Sequence, residues 1–195
     1  YTLFIKDTVM GDLVEVKVMK AKKNYGYAKL LRVIEPSKNR VEAKCPVAKQ
    51  CGGCQIQEMD YRQQLAFKKD KVENNLLRLG GVPREILEST MEGIIGMDEP
   101  FRYRNKAQYP IREEDGEIVA GFFAKRSHRV ISCPGCDLQP AFFEQILEYT
   151  LGFARQHCIS AYNEESGRGL LRHLYLRYGE QSGQVMVCLV LNGDS

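Results

Sequence analysis

Apolar and polar residues alternate with period two over residues 13–18 (Leu13-Val14-Glu15-Val16-Lys17-Val18), the signature of a half-buried strand. A second apolar run spans residues 26–34, after a polar and basic turn at residues 20–24. Pro36-Ser37-Lys38-Asn39 marks another turn, ahead of a short strand at residues 40–43. Short strands spaced this way predict a small OB-like barrel over residues 1–44. Residues 45–58 are rich in Cys and Gly and have no period. Asp60 then opens a helix, with Gln63 placed to complete a capping box. Tyr61, Leu65, Val72, Leu76 and Leu79 share its apolar face, Lys68, Lys69, Lys71 and Arg78 lie opposite, and Gly80-Gly81 with Pro83 ends it.

From Ile94 onward strands return, at residues 107–111, 119–123 and 130–132, with Asp115-Gly116 as a turn. Pro140 opens a further helix at its favoured first position, and Phe143, Ile146, Leu147, Thr150, Leu151 and Ala154 form the buried stripe. Residues 170–178 and 184–191 pair as a hairpin whose second strand, Val185 to Leu191, is apolar enough to read as buried. The predicted fold class is mixed α+β: the OB-like barrel at 1–44, a cysteine-bearing segment plus helix at 45–93, and an α+β unit at 94–195.

Charge changes this picture at one end. The chain carries a net +3, yet residues 1–44 hold ten Lys/Arg against five Asp/Glu. A basic front on a near-neutral body suggests a polyanionic partner, a solvated lysine face being the plainer reading. Lys20, Lys22, Lys23 and Tyr25 combine cations with an aromatic ring, suited to phosphate contact and base stacking. Arg102, Arg104 and Lys106 alternate with Tyr103 and Asn105, putting cations on one strand face for RNA or for pairing with Glu113 or Glu114. Lys125 and Arg126, with His128, form a basic trio in a loop, His128 reading as a structural hydrogen-bonder. No apolar run approaches the ~20 residues of a membrane-spanning helix. No basic-then-apolar leader follows Tyr1, so the expected compartment is the cytoplasm, and the sequence reads as a piece of a longer chain.

Five of the seven cysteines fall in two clusters, Cys45-x5-Cys51-Gly52-Gly53-Cys54 and Cys133-x2-Cys136. Three thiols in ten residues, with two glycines, let the backbone fold closely round a small inorganic object. An iron–sulfur cluster needs a fourth thiolate, for which Cys133 and Cys136 are the candidates, and Pro134-Gly135 supplies a turn able to swing either inward. Zinc is the rival: Cys51, Cys54, Cys133 and Cys136 make two C-x2-C pairs, though the pairs are far apart for a ribbon and Cys45 is left over. Cys158 and Cys188 have apolar neighbours and read as small core residues.

The order of motifs resembles the iron–sulfur branch of the bacterial 23S ribosomal RNA uracil-5-methyltransferases. Gly11-Asp12, the basic turn and Pro36-Ser37 ahead of Cys45 look like that family's N-terminal TRAM domain. Cys45-x5-Cys51-Gly-Gly-Cys54-x2-Gln57 matches its cluster motif. Tyr103-Arg104-Asn105-Lys106, Gly121-Phe122-Phe123 with Ser127-His128, and Gly169-Leu170-Leu171-Arg172-His173 look like its central domain. The resemblance implies a 4Fe–4S cluster on Cys45, Cys51, Cys54 and Cys136, the last because Cys136-Asp137-Leu138-Gln139 fits the frame of the family's fourth cysteine; Cys133 is then an extra thiol. It implies ribosomal RNA as partner and S-adenosylmethionine as methyl donor. The donor site and the catalytic cysteine and base are expected C-terminal to this stretch, which by itself would be inactive. Two other classes stand beside this: a standalone RNA-binding module with structural zinc, and an electron-transfer protein.

Overall fold

The computed structural model describes residues 1–133 and 135–193. They form two compact units that interleave along the chain: Tyr1–Ala43 with Ile56–Pro100, and Lys44–Gln55 with the stretch from Phe101 onward. The fold is mixed α+β, with two sheets and three helices among the described residues.

In the first unit, β1 (Thr2–Ile5), β2 (Leu13–Ala21) and β3 (Tyr25–Glu35) make a sheet of order β1-β3-β2, with β1 parallel and β2 antiparallel to β3. The alternating run and the basic turn are where the period-two pattern puts them, but the sheet is open, not a closed barrel. The expected strand at 40–43 is reduced to one bridge between Arg40 and Met59. Its backbone is used otherwise: Val41 N donates to Glu58 O at 2.9 Å and Asp60 N to Asn39 O at 2.8 Å. The polar anchor here is Asp12. Its carboxylate, 1% exposed, accepts from Arg40 Nη2 at 2.7 Å, from Ser37 N at 2.9 Å and from Val9 N at 2.7 Å. Gly11, at φ +94°, lets the chain turn into this contact, since a Cβ there would sit 3.0 Å from Ser37 Oγ.

Helix α1 (Tyr61–Arg78) starts where expected, Asp60 accepting from Arg62 N and Gln63 N. The capping box is not reciprocal: Gln63 Oε1 accepts from Asn39 Nδ2 because the Asp60 N–H is already bonded to Asn39 O. The expected apolar face is not buried, and Leu79 is 84% exposed. A short helix, α2 (Arg84–Thr90), follows with Leu87 buried; no capping signal announces it.

The second unit carries an antiparallel sheet of order β6-β5-β4-β7-β8, built from β4 (Lys106–Glu114), β5 (Glu117–Phe123), β6 (Val130–Ser132), β7 (Leu171–Gly179) and β8 (Gln184–Leu191). Asp115 and Gly116, both at positive φ, turn β4 into β5. Helix α3 (Phe142–Gln156) begins two residues after Pro140 and buries Phe143, Leu147, Leu151 and Ala154 against Tyr109, Ile111, Leu174 and Leu176. Each large side chain fully buried here contributes about 1.5–3 kcal/mol. Strand β8 departs from expectation. Among the described residues it pairs on one edge only, contributes nothing to the buried cluster, and leaves Met186, Val187, Leu189 and Leu191 about half exposed. Cys188 on it is exposed, as is Cys158 at φ +51° just after α3, so neither is a core residue. No helix among the described residues is long and apolar enough to cross a membrane.

The Arg40 guanidinium lowers the Asp12 pKa to about 2. A carboxylate depressed on folding stabilises the fold above its unfolded pKa near 4 and loses that contribution as pH falls. Asp12→Asn should therefore lower unfolding free energy by about 2 kcal/mol at pH 7 and by progressively less between pH 4 and 2, measured by urea titration across pH.

Candidate thiol site and basic faces

The cysteine-rich loop lies against the end of β5. Cys51 bridges Ala124, and Gly52 N donates to Phe123 O at 2.9 Å. A Cβ on Gly52 would stand 2.8 Å from that same carbonyl, so only glycine permits the approach. Within the loop, Cys51 N donates to Val47 O at 2.8 Å, Ala48 N to Cys45 O at 3.1 Å and Gly53 N to Cys51 Sγ at 3.4 Å. The second pair arrives from β6. Gly121 lets β6 lie close, because a Cβ there would meet Ile131 O at 1.9 Å and Cys133 N at 3.0 Å. Cys133 follows β6 directly and is buried, and Cys136 begins a turn closed by Gln139 N donating to Cys136 O at 3.0 Å. The expected Pro134-Gly135 turn includes Pro134, which lies outside the described residues.

Cys45, Cys51, Cys133 and Cys136 thus come within electrostatic reach of one another from segments far apart in sequence. The Cys133 thiol hydrogen-bonds Cys136 and is the first cause of a Cys136 pKa lowered to about 6; burial opposes this, and the backbone N–H groups of Leu138 and Gln139 and the Arg104 charge assist it. Cys133 moves upward for the converse reason, with burial and its thiol neighbours adding. Cys51 is raised by burial first, against the Gly53 N–H and Lys125. The arrangement therefore favours the anion at Cys136 over Cys133. Among the described residues, no three Cys, His, Asp or Glu side chains close round a common centre as a metal-holding group. Two buried polar atoms near these thiols have no hydrogen-bond partner among the described residues: the hydroxyl of Tyr109, whose pKa is raised by burial first and then by the Cys136 charge, and Oε1 of Gln139.

The basic candidates fall on both units. In the first, Lys22 Nζ sits 5.3 Å from the Tyr25 ring, and Tyr25, Tyr27 and Phe4 pack ring to ring at 5.7–5.8 Å. Lys20 and Lys23 are exposed beside them at the β2–β3 turn. In the second, Lys106 is exposed at the start of β4, and Lys125 and Arg126 lie in the β5–β6 turn. Arg102 pairs with Asp137, not with Glu113 or Glu114. His128 Nδ1 meets Glu164 Oε2 at 2.9 Å, and Glu164 also holds Arg112. These side chains line a cleft of about 540 Å3 with Arg129 and Tyr162. Glu164 and the Arg102–Asp137 pair gave no signal in the sequence, since each partner lies tens of residues away.

No family model matches the chain. Over 194 residues it is 44% identical to a protein of Halalkalibacterium halodurans named an uncharacterized RNA methyltransferase, covering 100% of this chain and 42% of the relative. Relatives named likewise are 42% identical over 190 residues in Clostridium tetani (97% of this chain, 40% of the relative) and 38% identical over 195 residues in Clostridium acetobutylicum (100% and 42%). The chain thus spans about two fifths of the length of these relatives. In fold it is similar to the crystal structure of a Pyrococcus abyssi tRNA (uracil-54, C5)-methyltransferase in complex with S-adenosyl-L-homocysteine, at TM-score 0.68 and 22% identity over 99% of this chain and 42% of that one.

The Gly52–Phe123 approach is open to a direct check. Gly52→Ala forces backbone to shift at the carbonyl and should cost about 1–3 kcal/mol, with Cys51 becoming reactive toward iodoacetamide in the folded protein. Unfolding titration and peptide mass spectrometry measure the two effects; Gly53→Ala, whose Cβ would meet only Cys51 Sγ at 3.5 Å, is the control expected to change neither.

Proposed function

We propose that this chain is the cluster- and RNA-holding part of an RNA uracil-5-methyltransferase that uses S-adenosylmethionine, with methyl transfer carried by the remainder of a longer protein. The relatives named RNA methyltransferases support the reaction class, and the fold neighbour supports uracil C5 as the target. Ribosomal RNA as substrate rests on the motif resemblance.

The observation that carries the metal reading is the convergence of Cys45, Cys51, Cys133 and Cys136 from two segments distant in sequence, with Cys51 and Cys133 buried. The residues fit a polynuclear thiolate site in donor chemistry: soft sulfur ligands, backbone N–H groups aimed at Cys136 Sγ, and a glycine cradle at Gly52. Cys45, Cys51, Cys54 and Cys136 would hold a 4Fe–4S cluster. When bound, it would supply four iron–thiolate links and so tie the loop at 45–54 to the turn at 136–139. The contact between Cys133 and Cys136 favours a second reading, a standalone RNA-binding module with zinc on Cys51, Cys54, Cys133 and Cys136.

The RNA faces we assign are Lys20, Lys22, Lys23 and Tyr25 on the first unit and Arg104, Lys106, Lys125 and Arg126 on the second. Arg102, expected among them, is engaged by its side chain at the turn at 136–139, while Arg104 bonds that turn through its backbone N–H, keeps an exposed side chain and stays in the assigned face.

Anaerobic purification distinguishes the two metals. The expected protein is brown, with about four iron per chain. Cys45→Ser loses metal and Cys133→Ser keeps it; the reverse pattern, with stoichiometric zinc in a colourless protein, overturns the cluster. Binding to structured RNA should weaken steeply with salt. Changing Lys20, Lys22 and Lys23 to Ala should reduce the slope of log K against log salt by about 0.7–0.9 for each phosphate that is no longer neutralised. An unchanged slope removes this turn from the interface.

A further inference from the structure

Arg102 is held in a way that surface RNA contacts do not need. Its backbone sits at φ +57°, a region L residues rarely adopt. Its N–H donates to Asp137 O at 2.8 Å, and Arg104 N donates to Leu138 O at 2.9 Å, so residues 102–104 run alongside the turn at 136–139. The guanidinium then closes over that turn: Nη1 donates to Cys136 O at 2.9 Å and to Gln139 O at 3.0 Å, and Nη2 to Asp137 Oδ1 at 3.1 Å. Asp137, 15% exposed in its side chain, also meets Lys44 Nζ at 3.7 Å. Lys44 immediately precedes Cys45, and its ammonium lies 4.4 Å from the Phe101 ring. One carboxylate therefore joins the residue before Cys45 to the residue after Cys136.

We infer that Arg102 is a positioning residue for Cys136: its fork fixes the two carbonyls that bound the turn, and with Asp137 as pivot it sets the Cys136 sulfur against the cysteine loop. The planar guanidinium suits this, because one Nη can serve two carbonyls while the other pairs with a carboxylate. A lysine could keep the ion pair but not the carbonyl chelation. The inference deepens the thiol-site reading and rests on it for the ligand role of Cys136; the geometry of the turn does not depend on which metal binds.

The test uses the whole chain, reduced and stripped of metal, with Arg102→Gln and Arg102→Gly. The second variant removes the fork while easing the positive φ, so a folding defect in the first does not end the experiment. Peptide mass spectrometry after timed iodoacetamide treatment follows each cysteine, with exposed Cys158 and Cys188 as internal standards. Loss of charge-assisted hydrogen bonds should open the turn locally and speed Cys136 labelling about tenfold in both variants, with Arg102→Lys intermediate. Cys51, on the other loop of the same pocket, should change far less. Wild-type labelling of Cys136 in both variants overturns the inference, as does equal acceleration at every cysteine, which would mean general loosening. Unchanged labelling with a flatter salt slope for RNA would make Arg102 an RNA contact instead. In reconstituted protein, iron loss to a chelator should accelerate by a similar factor. A wild-type chain that takes up no iron defeats the cluster reading and leaves the labelling result to decide the role of Arg102.

Discussion

The donation from Gly52 N to Phe123 O is the contact on which the thiol site depends. It brings a loop with no regular structure of its own against the end of β5, beside the strand that delivers Cys133 and Cys136. Two glycines make this possible by lacking a Cβ where backbone carbonyls approach, Gly52 at Phe123 and Gly121 at Ile131. The sheet behind is rigid because Tyr109, Ile111, Leu174 and Leu176 are packed under α3. An irregular cysteine loop is thus given a fixed floor, and the precision of the site comes from the sheet.

Burial and hydrogen bonding act in opposite directions on the thiols of this floor. Burial alone pushes every thiol toward its neutral form. At Cys136 the Cys133 thiol and two backbone N–H groups outweigh it, whereas at Cys51 and Cys133 the pKa is pushed upward. A set of soft donors with one sulfur already favouring its anion suits metal capture, since ligation requires deprotonation. The Tyr109 hydroxyl and Gln139 Oε1, without partners among the described residues, add polar groups in the same buried region.

The first unit works differently. Its open sheet has few buried side chains and keeps Phe4, Tyr27 and Leu31 partly exposed, while its polar anchor is the part-buried Asp12–Arg40 pair. The aromatic rings and lysines at the β2–β3 turn are accordingly available as a surface, and stacking with phosphate contact is the chemistry they suit.

Much was legible along the chain. Period two located β2, apolar runs bounded by turns located β3 and the strands of the second sheet, Asp60 marked the start of α1, and the stripe from Phe143 to Ala154 marked the buried face of α3. These are local signals, written in neighbouring residues. The gathering of Cys45, Cys51, Cys133 and Cys136 was legible only as spacing and motif order. What failed to show was whatever depended on a distant partner. Residues 39–41 bond the segment at 58–60 and close no barrel; β8 is as apolar as a buried strand yet lies at an edge among the described residues; Arg102 looks like a surface cation until Asp137 and two carbonyls fold beneath it. Sequence by itself determined the periodicities, the caps and the clustering of thiols, because each follows from the geometry of a few adjacent residues. Tertiary structure alone decided which thiol is pushed toward its anion and which arginine serves a turn, because each is set by desolvation and hydrogen bonds between segments that meet only on folding.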